Sequence, residues 1–342
     1  MPRKLVLLKK GKLAFEKYED PDLAPNSILL RTIYSAVSHG SEGMLFRGDA
    51  TKFKFKWNDE LRIFQKRPPN NEIYPIGYES VGRVEKLGKN VNEWQIGDLV
   101  WIDGPHRETH ILDLKNPVPF FRFPSNTNPQ TITLFALTRV SLGGVHDVCP
   151  LVGDSIGVCG LGVVGLICIG LLKKAGVRNI IGIDCIEDRL ELARQFGAHT
   201  VNYQLGEPAE MIKKIAPLDS VIETSGSYSG LSSSIKCIAP MGKVVIISSY
   251  GNQSEGIYLG HEFHRNRISI IPSMTINGNT HPKYPLWNLS RLNKEAALLI
   301  IEEALSFEKL ISDVVPFKTA VQEFTRLISN PTPPLKILFS YE

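Results

Sequence analysis

The run Gly160-Leu161-Gly162-Val163-Val164-Gly165 constrains this chain more than any other feature. Three glycines at GxGxxG spacing would mean little by themselves in a sequence with 28 of them. Their setting gives them weight. The apolar run Ser155 to Cys159 leads straight into the motif, and Val163 to Ala175 continues as a helix pattern that is apolar nearly all round. A second apolar run, Asn179 to Asp184, ends on an acid 19 residues after the last glycine. Each part has a physical reason in a phosphate-binding strand-turn-helix: Gly160 for the tight turn, Gly162 for close backbone approach to a pyrophosphate, and Gly165 for close packing of helix on strand. The amides of the turn and the positive end of the helix would then hold the phosphates.

Asp184 can accept hydrogen bonds from both hydroxyls of an adenosine ribose and would repel a 2′-phosphate, so NAD(H) is favoured over NADP(H). Arg189, five residues on and inside a helix pattern, is the one basic group near enough to argue the other way. The plainer alternative is that the glycines only pack a helix on a sheet. Glu223-Thr224-Ser225-Gly226 and Ile247-Ser248-Ser249-Tyr250 follow later strand patterns, which brings Thr224, Ser225 and Ser248 to the same carboxyl edge, where ligands of open α/β sheets bind.

The 342 residues predict two domains. Up to about residue 125, short apolar runs broken by Gly, Pro, Asn and Asp predict a small antiparallel, barrel-like β domain. From about 150, strands alternating with helical stretches predict βαβ units and a doubly wound parallel sheet, so the fold class is α/β. After about 277 the alternation stops; helices over 294–306 and 319–329 and a final strand over 335–341 predict a return to the first domain. The division is then 1–125 with 277–342, a connecting helix over 126–149, and a dinucleotide-binding domain over 150–276. The net charge of +4 argues for no nucleic-acid partner. Ser155 to Leu172 is 18 residues without a charge, but its five glycines favour a buried strand-turn-helix over a membrane span. Five cysteines, four of them in runs that read as buried, predict reduced thiols and a cytoplasmic protein without an export signal.

The order of domains, together with Tyr34-Ser35-Ala36-Val37-Ser38-His39-Gly40, Gly77-Tyr78-Glu79-Ser80-Val81-Gly82-Arg83-Val84, Gly88 to Val91, Trp94 to Val100 and the glycine motif, resembles the medium-chain dehydrogenase/reductase superfamily over nearly the full length. That resemblance implies a GroES-like catalytic domain beside a Rossmann domain. Ser38-His39-Gly40-Ser41-Glu42 is similar to the Ser-x-Gly-Ser/Thr-Glu signature of the branch that includes bacteriochlorophyllide hydroxyethyl dehydrogenases. Zinc alcohol dehydrogenases carry a cysteine where this chain has Ser38, a histidine where it has Tyr78, and a third cysteine near Ala136. The four-cysteine structural zinc lobe is missing as well, so neither zinc is expected. His39, His106, His110 and His146 with Glu42 and Glu79 could build another metal site, but no pair has HxH or HxxxH spacing.

Without a metal, hydrogen-bond donors or a general acid must manage the substrate oxygen during hydride transfer. Tyr78 stands where the superfamily points a zinc ligand into the cleft; its phenol either donates to a carbonyl oxygen or merely packs. His39 has three readings: a cofactor-phosphate contact, a proton relay or a surface group. Ser41 could pass a proton between substrate and His39, while Glu42 and Glu79 either join the chemistry or hold the loop. Residues 50 to 73 add Phe53, Phe55, Trp57 and Phe64 among lysines and arginines, which suits either a wall for an anionic or polyhydroxylated small molecule or a solvated lid. Arg267 to Met274 is expected to pair across a homodimer. The leading expectation is a zinc-independent, NAD(H)-dependent oxidoreductase interconverting a secondary alcohol and a ketone on a sugar, cyclitol or secondary metabolite. An enoyl or quinone reductase without zinc, and a dinucleotide-binding protein without turnover, are the alternatives.

Overall fold

The computed structural model describes residues 1–68, 72–251, 256–274, 286–330 and 332–341. The chain divides into two compact units, Met1–Phe135 with Leu299–Glu342, and Ala136–Leu298.

The first unit is built on strands. Ser27–Ala36 is its axis, because along its ten residues it pairs antiparallel with Ser80–Leu87, Thr109–Asp113 and the C-terminal strand Ile337–Ser340. The return of the chain end is therefore a matter of strand pairing: Leu338, Phe339 and Ser340 lie opposite Ala36, Ser35 and Tyr34. A second sheet joins Lys12–Lys17, Arg3–Lys9 and Tyr74–Pro75. Alternate residues of these strands turn inward, so Ile28, Leu30, Val84, Val100, Ile102 and Leu112 form one buried cluster. Another gathers Leu5, Leu7, Ile76, Phe317, Phe324 and Phe339. The helix Ser41–Arg47 follows the axis strand directly and ends on Gly48, in the left-handed conformation.

The second unit contains six parallel strands in the sheet order third, second, first, fourth, fifth, sixth, the arrangement of dinucleotide-binding sheets. In chain order they are Ser155–Cys159, Asn179–Asp184, His199–Asn202, Leu218–Glu223, Ile238–Ile246 and Ser269–Pro272. All five residues of the first strand are buried, as a central strand with helices on both faces requires. The uncharged stretch 155–172 is that strand, a turn and part of the helix Val163–Lys174; among the described residues no helix is long and apolar enough to cross a membrane.

Several local expectations need correction. The single connecting helix is two, Pro129–Ile132 and Phe135–Val148, because Asn128 caps the first with its side chain and Pro129 starts it. The helix expected over 294–306 is Leu289–Ile301; it starts earlier because Asn288 accepts the Arg291 amide, and it ends before Glu303, which has a φ of 49°. Of the five free cysteines, Cys159, Cys168 and Cys237 are buried, whereas Cys149 and Cys185 are partly exposed.

Candidate active site

In the second unit the glycine turn has the geometry its sequence requires. Gly160 has a φ of +90°, and a Cβ there would lie 2.7 Å from the Ser225 amide nitrogen. A Cβ on Gly165 would stand 2.0 Å from the Gly160 carbonyl oxygen, so only glycine lets the helix lie this close to the turn. Gly162 faces open space, with nothing within 4 Å of the position of its missing Cβ. It also begins the helix Val163–Lys174 with no side-chain cap, leaving the first amides to a ligand or to water. Thr224 fastens the turn to the neighbouring strand, its hydroxyl donating to the Gly160 carbonyl at 2.5 Å and to that of Cys159 at 3.1 Å.

Asp184 ends the second strand with a nearly buried carboxylate. It accepts from the amides of Leu161 at 2.6 Å, Cys185 at 2.7 Å and Ile186 at 3.0 Å. The acid is thus tied to the glycine turn itself, as a ribose acceptor beside a pyrophosphate cradle would be. Arg189 lies partly buried in the helix Glu187–Gln195. Ser225 and Ser248 meet at a group the sequence reading did not single out. The Glu223 carboxylate, fully buried, accepts from the Ser225 amide at 2.8 Å and from the hydroxyls of Ser225, Ser248 and Tyr250. Burial and the Glu223 charge push the Tyr250 phenol far above its ordinary range, so it stays a donor.

In the first unit the candidate groups Ser38, Tyr78, Glu42 and Glu79 converge. The Tyr78 phenol donates to the Ser38 hydroxyl at 2.7 Å. Burial and the neighbouring Glu79 charge hold it protonated well above the usual phenol range, against the lowering effect of its hydrogen bonds with Ser38 and Ser41. Gly77, at a φ of +108°, aims this segment: a Cβ there would strike the His106 backbone nitrogen at 2.6 Å. Glu42 is fully buried and holds the Ser38 loop. One carboxylate oxygen accepts the Ser38 amide at 2.9 Å, the other lies 2.9 Å from His106 Nε2. His106 Nδ1 in turn meets the Ser35 hydroxyl at 2.7 Å, and Ser35 bonds Tyr341 at 2.8 Å. Glu79 forms a buried ion pair with Lys336, two side chains 0 and 1% exposed. Its other oxygen has no hydrogen-bond partner among the described residues, and burial raises its carboxyl pKa to about 7 despite the opposing Lys336 charge.

Among the described residues no three histidine, cysteine or acidic side chains are grouped so as to hold a metal ion. His110 is buried under the strands, where desolvation and the Arg107 charge push it down to about 3. His146 belongs to the second unit, its ring 4.3 Å from that of Trp287. Lys336 and Glu223 went unassigned in the sequence, and each had the same signal: a charge inside an apolar strand run, which demands a buried partner.

Residues 163–290 match the family model of zinc-binding dehydrogenases. D-guloside 3-dehydrogenase of Escherichia coli is 28% identical over 338 residues, covering 96% of each chain. L-threonine 3-dehydrogenase of Caldanaerobacter subterraneus is 26% identical over 69% of this chain and 73% of its own length. Among solved structures, galactitol-1-phosphate dehydrogenase from Escherichia coli superimposes with a TM-score of 0.78 at 18% identity, covering 99% of both chains. The comparisons support the medium-chain, zinc-binding-type alcohol dehydrogenase superfamily. Its fold, a GroES-like unit with a Rossmann unit, is the fold of this chain. The superfamily implies a zinc ion, and the donor set here does not suit one. Zinc takes thiolate, imidazole or carboxylate. Ser38 and Tyr78 offer hydroxyls already bonded to each other, Glu42 is engaged by Ser38 and His106, and Glu79 faces the ammonium of Lys336.

Proposed function

We propose that this chain is an NAD(H)-dependent oxidoreductase that interconverts a secondary alcohol and a ketone without zinc, on a sugar-like or related polyhydroxylated molecule. The observation that carries the reading is the Tyr78–Ser38 hydroxyl pair, at the two positions where the sequence resemblance implies zinc ligands, in a chain whose second unit has an open glycine cradle tied to an acid. The relatives named above act on a guloside and on threonine at position 3, which supports a secondary-alcohol substrate. Solved relatives hold NADH in one case and NADP in another, so the choice of coenzyme rests on Asp184.

A nicotinamide coenzyme, when bound, would supply the hydride for the carbonyl carbon or take up the one leaving the alcohol. Turn amides and the helix start after Gly162 would hold its pyrophosphate, and Asp184 would hold its adenosine ribose. Tyr78 stays a neutral phenol, so it can give its proton to an oxygen that becomes an alkoxide and recover one from Ser38. Glu42 holds the Ser38 loop in place, with His106 fixing that carboxylate from behind. Ser41 and His39 are the groups through which the proton would reach water. In oxidation the same proton returns along the same path. The edge strand Ser269–Pro272, within 267–274, is proposed to pair across a dimer.

Purified protein assayed for NADH oxidation against ketoses and keto-cyclitols, with zinc measured on the same sample, tests this. Turnover with substoichiometric zinc is the expected result; a full equivalent of zinc that survives chelation, with activity lost on its removal, refutes the mechanism. Removal of one donor to a developing oxyanion typically costs about 10²–10³ in kcat. Tyr78→Phe is expected to show a loss of that size with the KM for NADH little changed, and normal turnover would reduce Tyr78 to packing. Asp184→Ala is expected to weaken NADH binding by about tenfold or more and to erase the preference over NADPH, as read by fluorescence titration of both. An unchanged preference would remove the ribose assignment.

A further inference from the structure

The chain carries its charge in one place. Residues 52–67 hold six basic side chains and two acidic ones, and outside them basic and acidic residues are equal in number, so the formal net charge of +4 resides there. This segment forms the hairpin Phe55–Asn58 with Ile63–Lys66, closed at its base by the Arg67 amide on the Lys54 carbonyl. A two-stranded hairpin is marginal without support. This one is rooted by Phe53, which packs edge-on against Tyr74 with ring centroids 5.5 Å apart. Elsewhere in the chain arginines and lysines meet carboxylates repeatedly, as in Arg3–Glu108, Lys4–Glu16 and Arg122–Asp98. On the hairpin, among the described residues, only Arg67 does, to Glu72 at 3.0 Å. Lys52 lies with its ammonium 4.6 Å over the Tyr74 ring, held by a π face rather than by a carboxylate. Desolvation and the neighbouring Arg67 charge lower its pKa. Two cations at the root therefore share one carboxylate, an arrangement that an added anion relieves.

The position of that root matters. The hairpin connects the helix Ser41–Arg47, which carries Ser41 and Glu42, to the stretch Tyr74–Glu79, which carries Tyr78. Tyr78 follows Tyr74 by four positions, so their Cα atoms can be no more than about 14 Å apart. We propose that the hairpin, through Lys52 and Arg67 at its root, binds an anionic group of the substrate, making the favoured substrate a phosphorylated or carboxylated polyol or its keto form. The proposal rests on the oxidoreductase reading above and narrows its substrate class. Trp57 and Phe64, in edge-on contact at 5.0 Å on one face of the stem, offer apolar surface to the carbon chain.

Matched pairs of neutral and anionic compounds test it: D-fructose against D-fructose 6-phosphate and L-sorbose against 5-keto-D-gluconate in NADH oxidation, with calorimetric titration of D-sorbitol and D-sorbitol 6-phosphate into the NAD-saturated protein. The anionic member is expected to be preferred by about tenfold or more in at least one pair, with the preference eroded by added KCl. In the double variant Lys52→Met/Arg67→Met the preference is expected to fall to about threefold or less. Lys52→Gln alone, which leaves the Arg67–Glu72 pair in place, serves as a second variant should the double variant fail to fold, and is expected to lower the preference at least twofold. Equal use of both members, or a preference that survives in the variants, overturns the proposal while leaving the oxidoreductase reading intact. Hairpin-dependent binding of the anionic polyol with no oxidation of NADH by any ketone does the reverse.

Discussion

Gly162→Ala is expected to keep its stability and weaken coenzyme binding, whereas Gly165→Ala is expected to lose both stability and affinity. The two residues lie three positions apart in one turn, yet their surroundings are opposite. At Gly162 the added methyl meets nothing within 4 Å, and the residue has a φ of −70° that alanine adopts freely. Exchanging glycine for alanine at a helix start costs no more than about 1 kcal/mol. The melting temperature should therefore fall by only a few degrees at most, at about 2–4 °C per kcal/mol for a domain of this size. The same methyl occupies the space in which a pyrophosphate would approach the backbone, so NADH affinity should drop by about tenfold or more. At Gly165 the methyl would stand 2.0 Å from the Gly160 carbonyl oxygen and 2.9 Å from the Thr224 hydroxyl. Neither can yield easily, because Thr224 also holds that carbonyl. Overpacking a tight site costs about 1–3 kcal/mol and occasionally more, and a backbone atom in the way puts this variant at the upper end, roughly 10 °C in melting temperature. A thermal scan and an NADH titration on both proteins decide the matter. Equal melting temperatures for the two would show that the helix does not need its close approach, and native NADH affinity in Gly162→Ala would show that the open space is not a phosphate cradle.

The contrast explains which parts of this molecule can be read from a linear sequence. The glycine turn, its strand, its helix and Asp184 are legible because their physics is local: a φ of +90° or a 2.0 Å approach leaves glycine as the one tolerable residue, within 25 positions of the acid that completes the motif. The sheet order follows with little more, since right-handed crossovers leave few ways to arrange such units. The hydroxyl pair is half legible. Ser38 and Tyr78 stand out for what they replace, but their 2.7 Å contact joins residues 40 apart and depends on the loop that Glu42 holds. His106 and Lys336 are not legible as partners, because 64 residues separate the first from Glu42 and 257 separate the second from Glu79. What the sequence does show is a lysine between Leu335 and Ile337, a position where a charge must find a buried counterpart that periodicity cannot name. The hairpin at 52–67 is half legible for a different reason: Lys52 to Trp57 alternates polar and aromatic residues as a strand does, but the returning strand Ile63–Lys66 does not alternate, and both strands bury little.

Lys336→Met is expected to be among the most damaging single substitutions outside the glycine turn, and its cost should grow with pH. Lys336 and Glu79 are both buried, and methionine replaces the lysine stem with little change of volume, so the loss isolates the charge. Breaking a buried pair by removing one partner costs about 3–5 kcal/mol, because the remaining charge is left uncompensated. Here the remaining group is a carboxylate whose second oxygen, among the described residues, already lacks a hydrogen-bond partner. In the native protein burial raises the Glu79 pKa to about 7, from about 4.5 in the unfolded chain. Between those values the folded state binds more protons than the unfolded one, so this residue's contribution is greatest at low pH and is lost as the pH rises towards 7. Lys336 opposes that shift; without it the folded carboxyl titrates still higher, and the range over which stability falls with pH extends further upward. The difference in unfolding free energy between native protein and variant should accordingly be small near pH 5, where Glu79 is protonated in both folded states, and approach its full size above pH 8. Denaturant titrations at pH 5, 6.5 and 8 measure it directly. Restoring stability at pH 8 with the double substitution Glu79→Gln/Lys336→Met would assign the loss to the stranded carboxylate, whereas a deficit independent of pH and unrelieved by the second substitution would place it in packing and remove the ion pair from the account.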